Sequence, residues 1–162
     1  KFGKLSKGQK IKAQFAFALS TDPKYLILDE PTANFDPEFK QDFLNVIMQF
    51  MESGKKSVII ASHILDELDR IADYLIYLDK EELVYSGDIE SFRDKYRIIS
   101  GETYKVKLLK QEDIIHVEDR KYGTKALVVN HGYSKYDGAL TVTVPTLEEF
   151  MYHYSKRGES VI

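Results

Sequence analysis

The 162-residue sequence is 43% hydrophobic and 30% charged with a formal net charge of −3, the proportions of an ordinary globular chain able to bury a core. Acidic and basic residues are interleaved along its length, which argues against a nucleic-acid groove or a polybasic membrane patch. There is no cysteine, which excludes disulfides and thiolate metal sites and suits a reducing cytosol. No apolar run approaches the ~20 residues needed to span a bilayer.

The chain opens Lys1-Phe2-Gly3 rather than with Met, and a motif follows at once, so it reads as the interior of a longer protein. Ser6-Lys7-Gly8-Gln9 starts a helix with a Ser-x-x-Gln capping box, and Ile11, Phe15 and Leu19 give that helix one buried stripe. Asp22-Pro23 is a turn. The apolar run Tyr25-Leu26-Ile27-Leu28 predicts a short strand buried on both faces. Asp36 followed by Pro37 is an N-cap with proline at the first helical position, and Phe39, Phe43, Ile47 and Phe50 or Met51 form the inner face of the next helix. Gly54 ends it.

Val58 to Ala61 predicts a second buried strand, and Leu65, Leu68 and Ile71 a further helix. Tyr74 to Leu78 and Leu83 to Tyr85 read as a strand pair turning at Lys80-Glu81. Strands separated by helices imply an α/β fold with a parallel sheet and βα crossovers. Past Ser100-Gly101 the pattern changes. Tyr104, Val106 and Leu108 alternate with lysines, and Leu140, Val142 and Val144 with threonines, as in half-exposed antiparallel strands. Thr146 and Glu149 form another capping box, opening a helix that buries Phe150, Met151 and Tyr154. Residues 99–162 are therefore expected to form a small α+β accessory domain after a first domain of residues 1–98, with loops at Gly123, Gly132 and Gly138.

Asp29 and Glu30 end the first apolar strand, at the edge where open α/β sheets bind ligands. A hard cation that keeps its waters could take Asp29, while Glu30 orients and deprotonates a water. Taken alone, such a pair is more often a helix cap. Ser62-His63 follows the second strand, so His63 emerges at the same edge. A lone histidine there is usually structural, but beside two carboxylates it suits a phosphate sensor. The helix start at Ser6-Lys7-Gly8-Gln9 offers backbone N–H groups and a close-approach glycine to an anion. His116, His131 and His153 lack ligand spacing and predict no metal site. Tyr133, Tyr136, Tyr152 and Tyr154 are read as packing residues before a recognition surface.

In order and spacing these motifs resemble the ATP-binding domain of ABC transporters, in its C-terminal half. Leu5-Ser6-Lys7-Gly8-Gln9 resembles the signature, Tyr25 to Glu30 with Pro31-Thr32 the Walker B strand and catalytic glutamate, Ala33-Asn34-Phe35-Asp36 the D-loop, and Ser62-His63 the switch histidine. Lys7 in place of a glycine and the layout of the C-terminal extension are similar to bacterial exporter ATPases. The resemblance covers residues 1–98 and implies part of a P-loop NTPase (RecA-like) sheet. It implies that Ser6, Lys7, Gly8 and Gln9 grip the γ-phosphate of ATP across a dimer, that Asp29 helps hold Mg2+ through water, that Glu30 is the general base, that His63 steadies the phosphate, and that Asp36 couples the two sites. It also implies a second nucleotide-binding domain and a transmembrane permease as partners, with the subunit cytoplasmic and peripheral on the inner face of the membrane.

The departure with most consequence is that no Gly-x-x-x-x-Gly-Lys-Ser/Thr run occurs in these 162 residues, nor a Q-loop or adenine-stacking aromatic ahead of the signature. These residues by themselves are expected to bind ATP poorly, hydrolyse essentially none, and self-associate or exchange segments. Two other classes stay open at this point: a soluble ABC ATPase acting on ribosomes or DNA, and a non-catalytic regulatory module. The first lacks the basic or coiled-coil insertions typical of it; retention of both Glu30 and His63 argues against the second.

Overall fold

Ser6 opens the first helix as its spacing predicts. In a computed structural model that describes residues 3, 5–33, 35–66, 68–133 and 140–158, with Lys7 described by its backbone only, α1 spans Lys7–Ser20, and Ser6 and Gln9 close a reciprocal capping box. After it, β1 spans Tyr25–Asp29. Asp36 accepts from the Phe39 N–H to cap α2, Pro37–Met51, and Gly54 in the left-handed region ends that segment at φ +66°, a conformation that costs glycine little. β2 spans Ser57–Ala61 and pairs with β1 in parallel, from Tyr25 opposite Ser57 to Asp29 opposite Ala61.

The chain divides into two compact units, Lys1–Ile71 and Ala72–Ile162. In the first, Leu26, Phe43, Leu44 and Ile47 are buried together, with Phe15, Leu19, Leu28, Val58 and Ile71 packed around them. The expectation of a strand buried on both faces does not hold: Leu26 is buried, whereas Tyr25 and Ile27 are 72% and 74% exposed. The core cluster that α1 and α2 build against the strands takes in Leu26, Leu28 and Val58, and alternate residues point away from it. The helix expected from Leu65 to Ile71 shrinks to one 3-10 turn, Leu68–Arg70; seven residues are too few to offset helix nucleation without packing.

The second unit begins with the hairpin read from the sequence. β3, Tyr74–Asp79, and β4, Glu82–Asp88, are antiparallel. Lys80 and Glu81 both take positive φ, 48° and 67°, the signs of a type I′ turn matched to strand twist. Asp88 then caps α3, Ile89–Lys95, which runs into β5, Tyr96–Gly101. α4, Thr103–Val106, occupies the segment where Tyr104, Val106 and Leu108 predict a strand. The correction follows from period: Val106 and Leu109 are buried three apart, while Leu108 is exposed, which is helical spacing.

β6, Ile114–Arg120, β7, Gly123–Val129, and β8, Leu140–Thr143, complete an antiparallel sheet in the order β6-β7-β5-β8. Gly123, at φ +130°, would set a Cβ 2.5 Å from the Gly101 carbonyl oxygen, so only glycine fits there. α5, Leu147–Ser155, starts at the Thr146/Glu149 capping box. Its Phe150 meets the rings of Tyr77, Phe92 and Tyr96 at 5.7, 4.8 and 4.6 Å. These contacts give β3, α3, β5 and α5 a shared core, so the boundary expected near residue 98 falls inside the second unit's β5. The parallel sheet expected from the alternation of strands and helices is limited, among the described residues, to β1 and β2; the other pairings are antiparallel. Asn34, Tyr136 and Gly138 lie outside the described residues.

Candidate functional site

Parallel pairing of β1 and β2 sends Glu30 and Ser62-His63 out of the same sheet edge. The Glu30 N–H extends the pairing by donating to the Ala61 carbonyl at 2.8 Å, and Glu30 adopts a left-handed φ of +44°. A non-glycine residue in that region is held there by its surroundings. Here the side chain supplies the hold. Glu30 Oε1 accepts from the His63 backbone N–H at 3.2 Å and lies 2.7 Å from His63 Nδ1, while Ser62 Oγ donates to Oε2 at 3.3 Å. The bond to the His63 ring is the main cause holding the Glu30 carboxyl below its ordinary value, against partial removal from water. The His63 side chain is 72% exposed, leaving its other nitrogen open to a ligand.

Asp29, one residue earlier, is exposed at the strand end. Its carboxylate is a hard oxygen donor, and among the described residues no group of three or more acidic or histidine side chains gathers to hold a metal. That donor set fits an ion that keeps most of its water and completes its shell from phosphate oxygens.

At the start of α1, Ser6 Oγ accepts from the Gln9 N–H at 3.2 Å and Gln9 Oε1 accepts from the Ser6 N–H at 3.0 Å. Both side chains are thus engaged in the cap, with Gly8 half-buried behind them; the Lys7 side chain lies outside the described atoms. Asp36 caps α2 at 2.9 Å and has Lys12 Nζ at 3.8 Å, and the same ammonium stands 3.8 Å above the Phe39 ring. The Phe39 N–H is the first cause lowering the Asp36 carboxyl, with Lys12 assisting against desolvation.

The structure therefore joins Glu30 to His63, Ser6 to Gln9, and Asp36 to α1. No hydrogen bond or ion pair links Ser6 or Gln9 to Glu30 or His63 among the described residues. Two contributors were given no role of their own in the sequence. Ser62 fixes the second Glu30 oxygen, and its place before a histidine at a strand end was the available signal. Lys12 ties α1 to Asp36, and only its position one turn past the capping box hinted at it.

Residues 1–33 match the family described as ABC transporter. A protein of Mycoplasma pneumoniae named as an ABC transporter ATP-binding protein is 42% identical over 82 residues, 51% of this chain and 25% of its own length. This stretch is part of an ABC transporter ATP-binding domain. The energy-coupling factor transporter ATP-binding protein EcfA2 of Caldanaerobacter subterraneus is 40% identical to it over 95 residues, 58% of this chain and 33% of that protein. The chain thus spans a quarter to a third of the length of these curated relatives. An ABC transporter solved in an inward-facing conformation shares the fold, with a TM-score of 0.51 at 19% identity over 83% of this chain and 51% of that one. The ABC domain piece is accordingly a partial cassette, mixed α/β.

Proposed function

We propose that this chain is the hydrolysis-triggering part of an ATP-binding subunit that powers a membrane permease, acting on the cytoplasmic face beside a second nucleotide-binding domain. The observation that carries this reading is the Glu30–His63 contact at the ends of two paired parallel strands, in a chain whose first residues match the ABC transporter family. Among the described residues no helix is long and apolar enough to cross a membrane, so the reading assigns the membrane path to the permease.

Each residue has a distinct task in it. Ser6, Lys7, Gly8 and Gln9 present a helix N-terminus to the γ-phosphate bound on the opposite domain, which requires Ser6 and Gln9 to open their mutual cap. Asp29 holds Mg2+ mostly through water; the ion supplies charge neutralisation for the phosphates. Glu30 has one oxygen committed to His63 and the other only weakly bonded to Ser62, so the second oxygen is the one that receives a proton from water. His63 donates Nδ1–H to Glu30, and donating Nε2–H to a phosphate as well requires the imidazolium form. Asp36, held by Lys12, passes the state of α1 to α2.

Phosphoryl transfer of this kind rests on positioning and electrostatics, so the 162 residues alone should not turn over ATP. The exposed apolar face of Tyr25, Ile27 and Ile59 supports association with a complementary half or a second copy, and a strictly monomeric chain in sedimentation counts against that. The catalytic reading is tested by supplying a phosphate-loop half from a related ABC domain. ATP turnover should then arise, and Glu30→Gln should abolish it while nucleotide still binds. Stoichiometric turnover by the chain alone, or full activity in the Glu30→Gln protein, overturns the reading.

A further inference from the structure

The second unit buries two histidines against each other, far along the sequence from the ATP-site residues. His116 on β6 is 5% exposed and His153 on α5 is 1% exposed, and their Nδ1 atoms are 2.8 Å apart. At that distance one Nδ1 carries the hydrogen and the other the lone pair. The bond therefore survives only while at least one Nδ1 is bare. A second proton would set two N–H groups against each other and leave charge in the core.

The surroundings offset such a charge only in part: burial and His116 oppose a positive His153 more strongly than Glu118 favours it. Glu118 on β6 is already bonded to Arg120 at 2.8 Å and to the Tyr152 hydroxyl at 3.0 Å. Glu149 on α5 is bonded to Lys125 of β7 at 2.5 Å. Arg120 and Lys125 themselves oppose a positive His153, and burial, the largest cause, with His116 next, pushes its pKa down to about 4. Also packed against α5 are Tyr77 and Tyr96, whose rings meet Phe150, and Asp79 of β3 pairs with Arg157 just beyond the helix.

We propose that the His116–His153 pair is an acid-sensitive clasp that releases α5 from β6 when both imidazoles take up protons. Because α5 also carries Phe150 and Tyr154 against Tyr77, its release frees the β3–β4 hairpin from the four-stranded sheet. The sign follows from linkage. A histidine whose folded value lies below the ordinary 6.5 binds fewer protons folded than released, so the clasp is fully closed above about pH 6.5 and weakens as pH falls toward about 4.

The test is amide hydrogen exchange of α5 in the 162-residue chain between about pH 7 and pH 5, corrected for intrinsic exchange. The opening equilibrium should rise with acid, by up to about tenfold per pH unit for each proton taken up, and should be flat in the double variant His116→Gln, His153→Gln. An α5 opening independent of pH in the natural sequence, or an equal slope in the double variant, overturns the clasp. Should the variant not fold, imidazole nitrogen NMR of the natural chain decides: one protonated and one bare Nδ1, with His153 taking up its proton below the ordinary 6.5, supports it, and two protonated Nδ1 atoms with α5 still protected overturn it.

Discussion

Glu30 accepts from His63 twice, from the backbone N–H at 3.2 Å and against Nδ1 at 2.7 Å, so the histidine at the end of β2 also sets how readily the carboxyl at the end of β1 takes up a proton. His63→Ala removes the ring bond, the leading cause of the lowered Glu30 carboxyl, and should raise that carboxyl toward its ordinary value. Carboxyl carbon NMR during an acid titration measures it. No upward movement would show that Ser62 and the backbone suffice.

The inner and outer faces of the two-stranded sheet should respond oppositely to truncation. Ile47 is fully buried among Leu26, Phe43 and Leu44, and Ile47→Ala should cost about 2–5 kcal/mol through lost transfer energy and a residual cavity. Ile59 is 62% exposed, and Ile59→Ala should stay within about 0.5 kcal/mol. Urea unfolding of each variant, followed by the tyrosine signal, gives both numbers. Similar losses at the two positions would mean that Ile59 is covered in solution.

What the sequence made legible was what short-range chemistry decides. Capping boxes at Ser6/Gln9 and Thr146/Glu149, the Asp36-Pro37 helix start and the Lys80-Glu81 turn each depend on residues a few positions apart, and each is present in the structure. Motif order likewise carried Glu30 and His63 to one edge, because a parallel pair fixes which ends of two strands coincide. Long-range partners were not legible. His116 and His153 are 37 residues apart, and no spacing rule predicts that a sheet and a helix will bury them face to face. Tyr104 to Leu108 misled for a related reason: lysines between apolar residues satisfy a period of two, and only the burial of Val106 and Leu109 selects the helix. The face of β1 misled because an apolar run does not say how many layers cover it.

Alkaline pH should unfold the second unit before it disturbs the cap-stabilised helices of the first, because its core holds buried phenols. Tyr96 is pushed up to about 12, chiefly by burial, with Tyr154 and then Tyr85 adding to it, and burial raises Tyr77 and Tyr85 as well. An unfolded tyrosine ionises near the ordinary 10. Between these values the unfolded chain has released a proton that the folded chain retains, so stability is intact below about pH 10 and is lost as pH rises toward about 12. Absorbance of tyrosinate against pH should show a steep step coincident with loss of the β-sheet circular dichroism signal. Tyr96→Phe removes the ionisation while keeping the ring against Phe92 and Phe150, and should move that step to higher pH. An unmoved step would place the alkaline weakness at Tyr77 or Tyr85.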